Sequence, residues 1–120
     1  GVGCGGGRAR RDVAGARLMF RRRFADIVSR QIDLFETEYA DLIEEADDAE
    51  AAYERADRDD SEELFGDYMD VVESGAEVLA DLRDHYASTL EGEVAEEYRE
   101  TFNHVVLKRL PRFALEIEDL

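Results

Sequence analysis

The stretch FRRRFADIVSRQIDLFETEYADLIEEADDAEAAYERAD, residues 20–57, decides the fold. Laid out at about 100° per residue, Phe20, Phe24, Val28, Phe35, Tyr39, Leu42, Ala46, Ala49 and Tyr53 fall on one face. Ile27, Ile32, Leu34 and Ile43 widen its edges, and Asp26, Arg30, Asp33 and Glu44 lie opposite. No glycine or proline interrupts the pattern, so it predicts one helix over 20–57, roughly 57 Å long at about 1.5 Å per residue. After Ala46 the inward positions turn small, which predicts an end that packs more tightly or less completely.

The run Asp57-Arg58-Asp59-Asp60-Ser61 has turn chemistry, and either Asp60 with Glu63 or Ser61 itself is placed to cap a second helix. That helix, over 61–90, carries the stripe Leu64, Phe65, Tyr68, Val72, Ala76, Leu79, Leu82, Tyr86 and Leu90. Gly75, at the edge of the stripe, is a place where a neighbouring element can come close. Gly92 is expected to end the helix as a left-handed cap, and Ser88 with Glu91 offers a competing capping box. A third helix over 93–119 follows, with Val94, Tyr98, Phe102, Val105, Val106 and Arg109 inward and a kink or restart at Pro111. Short connections make consecutive helices antiparallel neighbours. The fold class predicted is all-α, a long antiparallel three-helix up-down-up bundle over residues 19–120.

Residues 1–18 precede the regular pattern, and six of the nine glycines lie among them. Glycine loses more freedom on ordering than any other residue, so this leader is expected to be disordered, as a remnant outside the folded protein. Gly1, Gly3 and Gly6 match the spacing of a dinucleotide fingerprint, but no strand precedes them to build the phosphate cradle.

Charge sets the surface and narrows the partners. Asp and Glu number 31 against 15 Lys and Arg, for a formal net of −16, and Lys108 is the only lysine. At molar salt the screening length falls to about 3 Å and the repulsion among these acids nearly vanishes. In dilute buffer the same charge works against compactness. Residues 1–23 hold seven arginines against Asp12, a net of +6, which leaves −22 on the remainder. Such an arm reaching for phosphates is an alternative reading, weakened by the salt that the body of the chain calls for. The single cysteine, Cys4, allows no internal disulfide and no thiolate metal site, and no apolar run is long enough to span a bilayer. The expected location is cytoplasmic.

Chemistry-bearing constellations are few. Asp81 precedes His85 by four residues and Glu100 precedes His104 by four, which puts each pair on one side of a helix within reach of a shared metal. Both pairs fall on polar faces, and acids are so frequent that the spacing arises by chance. These four are weak metal candidates and the source of an alternative carboxylate–histidine reading, in which the chain is a metal-binding protein or enzyme. No cofactor, small-molecule substrate or catalytic motif is visible. The five tyrosines lie in the stripes, where rings are buried and hydroxyls reach the edge.

The segments RRRFADIVSRQIDLFETEYADLIEEA (21–46) and KRLPRFALEIEDL (108–120) resemble small uncharacterised helical proteins of haloarchaea. The resemblance extends over most of residues 19–120, implies a halophilic helical protein, and assigns no active residues. The C-terminal turn adds a second apolar strip, Leu107, Leu110, Ala114 and Ile117, rotated from that of Tyr98 and Phe102. Either Pro111 redirects the chain so that both strips serve one core, or the second strip awaits a partner. The function expected is a non-enzymatic protein-interaction or structural module, docking on itself or another protein through Leu107, Leu110, Phe113 and Ile117. Circular dichroism during salt removal checks the solvent argument: helicity should fall as salt is withdrawn, and unchanged helicity overturns it.

Overall fold

In a computed structural model of the chain, residues 23–120 are described. The leader, the fingerprint-like glycines and the arginines through Arg22 lie outside them. Among the described residues the regular structure is entirely helical. Helix α1 covers 23–38, α2 Ala40–Glu54, α3 Ser61–Ala87 and α4 Gly92–Arg109. A 3₁₀ turn at Pro111–Phe113 leads into α5, Ala114–Asp119.

The helix expected over 20–57 is thus two helices separated by one residue. Tyr39 adopts φ −113°, ψ 30°, yet its N–H still donates to the Phe35 carbonyl (2.8 Å) and its carbonyl accepts from Ile43 (3.1 Å). The ladder bends here without being cut. The Thr37 hydroxyl donates to the Asp33 carbonyl one turn back (3.0 Å), as Ser74 does to Asp70 within α3 and Thr101 to Glu97 within α4.

Pairwise contacts fix how neighbours run. Tyr53 meets Phe65 and Glu50 meets Tyr68, so α2 and α3 pass in opposite directions. Tyr86 meets Tyr98 and Arg83 meets Asn103, so α3 and α4 do the same. The third helix expected over 93–119 ends at Arg109, where Leu110 turns to φ −135°, ψ 60°. One guanidinium nitrogen of Arg83 donates both to the Asn103 side chain (3.0 Å) and to the Ile117 carbonyl (3.0 Å). Ile117 therefore lies level with residue 103, and α5 doubles back along α4 instead of extending it. Proline permits this restart: it removes an amide donor and holds the residue before it out of the helical region.

The core joins two aromatic groups. Phe24 meets Tyr98 edge to face at 5.6 Å, with Tyr86 and Phe102 beside it, and the Tyr98 hydroxyl donates to Gln31 (2.6 Å). Burial pushes the Tyr98 phenol up to about 12. Nearer Pro111, Phe35 stacks on Tyr39 and meets Phe113 edge to face at 6.1 Å. The Phe113 ring lies on buried Gly75, so close that a Cβ there would sit 2.8 Å from Cζ and 3.0 Å from Cδ1. The glycine expected to admit a neighbour admits this ring.

The expected caps differ. Gly92, the one described glycine with a left-handed φ (+48°), opens α4 and does not close α3, which has ended at Ala87. Neither Asp60 nor Glu91 caps with its side chain, while the Ser61 and Ser88 hydroxyls donate to the Arg58 and His85 carbonyls.

Two glycines on α3 separate space from propensity. Gly66→Ala, with nothing within 4 Å, should stabilise by about 1 kcal/mol through helix propensity alone. Gly75→Ala gains the same term but overpacks a ring already wedged against Phe35, at a cost of about 1–3 kcal/mol. Urea unfolding should show opposite signs for the two; two stabilised variants would refute the close packing at Gly75.

Candidate functional site

The C-terminal strip expected to dock is mostly interior. Phe113 is 1% and Ile117 0% exposed, and Leu110 is partly buried against the core. Phe113 and Ile117 are taken up by the chain's own reversal. Leu107 alone among the four stays 54% exposed. Asp81, His85, Glu100 and His104 are all exposed, the first two on α3 at a groove of about 560 Å³ with Tyr39, Val78 and Leu82, the others on α4. Among the described residues no group of three His, Cys, Asp or Glu is placed to hold a metal ion.

Two features that the sequence reading passed over organise this half of the molecule. The first is Arg83, 4% exposed. Its guanidinium forks onto Asp84 (2.8 and 3.2 Å) while reaching Asn103 and the Ile117 carbonyl, so one cation ties α3, α4 and α5 together. The Arg83 guanidinium, with a smaller contribution from Arg99, holds the Asp84 carboxyl below its ordinary value against the opposing effect of burial. The visible signal was a cation one turn after Leu79 and one heptad after Ala76, on the buried stripe.

The second is a groove of about 640 Å³ where the chain turns, bordered by Ile43, Tyr68, Leu110 and Pro111 and flanked by two arginines. Arg112 bonds Asp47 (2.6 Å), approaches Glu50 (3.5 Å) and lies 5.8 Å from the centre of the Tyr68 ring, whose hydroxyl donates to Glu50 (2.9 Å). Burial and the bond to Glu50 raise the Tyr68 phenol. Arg109 bonds Asp33 (2.6 Å), Glu36 (3.0 Å) and the Ser29 carbonyl (3.2 Å), and the Asp33 bond chiefly raises its guanidinium. These pairs are largely solvated on the acid side, so each adds little stability; together they set where the turn docks.

Beyond this groove the last turns of α2 and the first of α3 continue as a hairpin that lacks the cover found elsewhere. Phe65 precedes Val72 by one heptad and Leu79 by two, so the three share a stripe. Val72 is 2% and Leu79 0% exposed, but Phe65 is 45% exposed, its ring paired only 5.2 Å from that of the 37% exposed Tyr53. The stripe runs on where the cover stops. No helix among the described residues is long and apolar enough to cross a membrane. No protein-family model, no curated protein and no solved structure matches the chain.

Arg83→Met removes the shared cation while keeping most of the volume, and should cost about 2 kcal/mol in urea unfolding at neutral pH. Asp84 has a lowered folded pKa, so its contribution is present above about 4, the unfolded value, and fades as pH drops through the folded one. The gap between wild type and variant should narrow on acidification; a gap independent of pH would show that the pair is not what Arg83 contributes.

Proposed function

We propose that this chain is a non-enzymatic protein-interaction module of a halophilic cytoplasm, built as an up-down-up helical bundle. In this topology α1 and α2 form one bent rod, α3 returns along it, and α4 runs back along α3 with α5 doubled over. The observation that carries the functional reading is the loss of cover along α3, from interior Leu79 and Val72 to the open Phe65–Tyr53 pair. An amphipathic stripe that continues past its own core is a surface that another element buries. The docking face therefore moves from the C-terminal third, whose Phe113 and Ile117 are interior, to the α2–α3 hairpin end. The carboxylate–histidine reading gains no support from the exposed placement of Asp81, His85, Glu100 and His104. The nucleic-acid reading rests on arginines that, apart from Arg23, lie outside the described residues.

Position-specific cross-linking tests the docking face. The full chain carrying a photoreactive side chain at position 65, irradiated in its own cell extract at the salt of that cytoplasm, should give a discrete protein adduct. The same group at exposed position 73 should not. No adduct from 65, or identical products from both positions, removes the hairpin end as a docking face.

A further inference from the structure

The open hairpin end also says what should cover it, and this step rests on the docking reading above. We propose that its occupant is a basic amphipathic helix of another protein, laying an apolar stripe over Phe65 and Tyr53 and an arginine- or lysine-rich flank over the surrounding acids. Shape comes from the stripe. Phe65 continues the heptad line of Val72 and Leu79 between two antiparallel helices, and the seam between such helices accepts a third helix whose anchors recur every three to four residues.

Charge selects among occupants. Residues 41–70 carry fourteen carboxylates and only two arginines, Arg55 and Arg58. Two of those carboxylates, Asp47 and Glu50, are engaged by Arg112 at the groove, which leaves twelve carboxylates to Arg55 and Arg58. A second copy docking end to end would set two surfaces of this sign face to face. A separate basic helix meets both demands.

Three synthetic peptides of about 20 residues, long enough to hold a helix in water, make the test. One has leucines at helical spacing with arginine elsewhere, the second has the same leucines with glutamate, and the third scrambles the first so that no apolar face remains. Binding is measured by fluorescence anisotropy against the full chain at a salt where circular dichroism shows it folded. The arginine amphipath should bind at least about tenfold tighter than either other peptide, and Phe65→Glu should erase that margin. Tyr53→Glu, on the opposite helix of the hairpin, supplies a second variant in case the first fails to fold.

Equal binding of the scrambled peptide, unaffected by Phe65→Glu, would overturn the proposal in favour of bare charge attraction. Equal binding of the glutamate amphipath, abolished by the same variant, would overturn the basic partner while leaving the hairpin a docking face. Self-association seen by light scattering and lost in Phe65→Glu would make the occupant a second copy. Binding of all three peptides indifferent to both variants would remove the docking face as well.

Discussion

The seating of Phe113 on Gly75 is the contact on which the arrangement depends. It brings the end of the chain against the middle of α3, where the ring also meets Phe35 of α1 edge to face. One side chain thereby joins three segments far apart in sequence. Together with buried Ala114 and Ile117 it holds α5 back along α4, which brings the Ile117 carbonyl to accept a hydrogen bond from Arg83. A buried guanidinium is tolerable only when its donors are answered, and here they are met by Asp84, Asn103 and Ile117 together. Packing at Gly75 and polar satisfaction at Arg83 are therefore two consequences of one chain reversal.

The helical content was legible because each stripe repeats many times. Phe24, Val28, Ile32 and Phe35 are all within 2% of full burial, as their spacing requires. The direction of the chain after Pro111 was not legible. An apolar strip at Leu110, Ala114 and Ile117 announces that something must cover it, and the same strip results whether the cover is the chain itself or a partner. Only Gly75 hinted at the answer, by leaving room on α3. The break at Tyr39 was not legible either: no glycine or proline marks it, and the inward spacing of Phe35, Tyr39 and Leu42 runs straight through it. Arg83 was passed over because a cation on a buried stripe reads as an edge residue until the two acceptors twenty and more positions away, Asn103 and Ile117, are assembled around it.

Arginine stands at three of the joints between segments. Arg83 and Arg99 share Asp84, Arg109 joins α4 to Asp33 and Glu36 of α1, and Arg112 joins the 3₁₀ turn to Asp47 and Glu50 of α2. The planar fork presents several donors in fixed directions and so orients a partner as well as attracting it, which an ammonium on a flexible stem does less well. With a single lysine in the chain, nearly every cation has that capacity. Four arginines, Arg83, Arg99, Arg109 and Arg112, thus answer acids or carbonyls where segments meet, while most carboxylates face solvent.

That same distribution bears on the hairpin end. If the last turns of α2 and the first of α3 were only a spacer, nothing would be lost by making positions 53 and 65 polar. An exposed Glu or Arg is a better helix former than Tyr or Phe and avoids wetting an aromatic ring. The pair is aromatic nonetheless, and unlike the separately exposed Leu34, Leu107 and Leu115 it lies together at the end of a buried stripe. Mutual contact explains part of this, since the two rings lie 5.2 Å apart and hold α2 against α3. It does not explain why the outer sides of both rings stay open while the stripe they belong to is sealed from Val72 onward. A helix pair that needed only to cohere would bury smaller residues between its axes, as Ala46 does a few turns away. Rings left half in water at the end of a continuous stripe, ringed by acids and short of cations, fit a surface that is completed from outside.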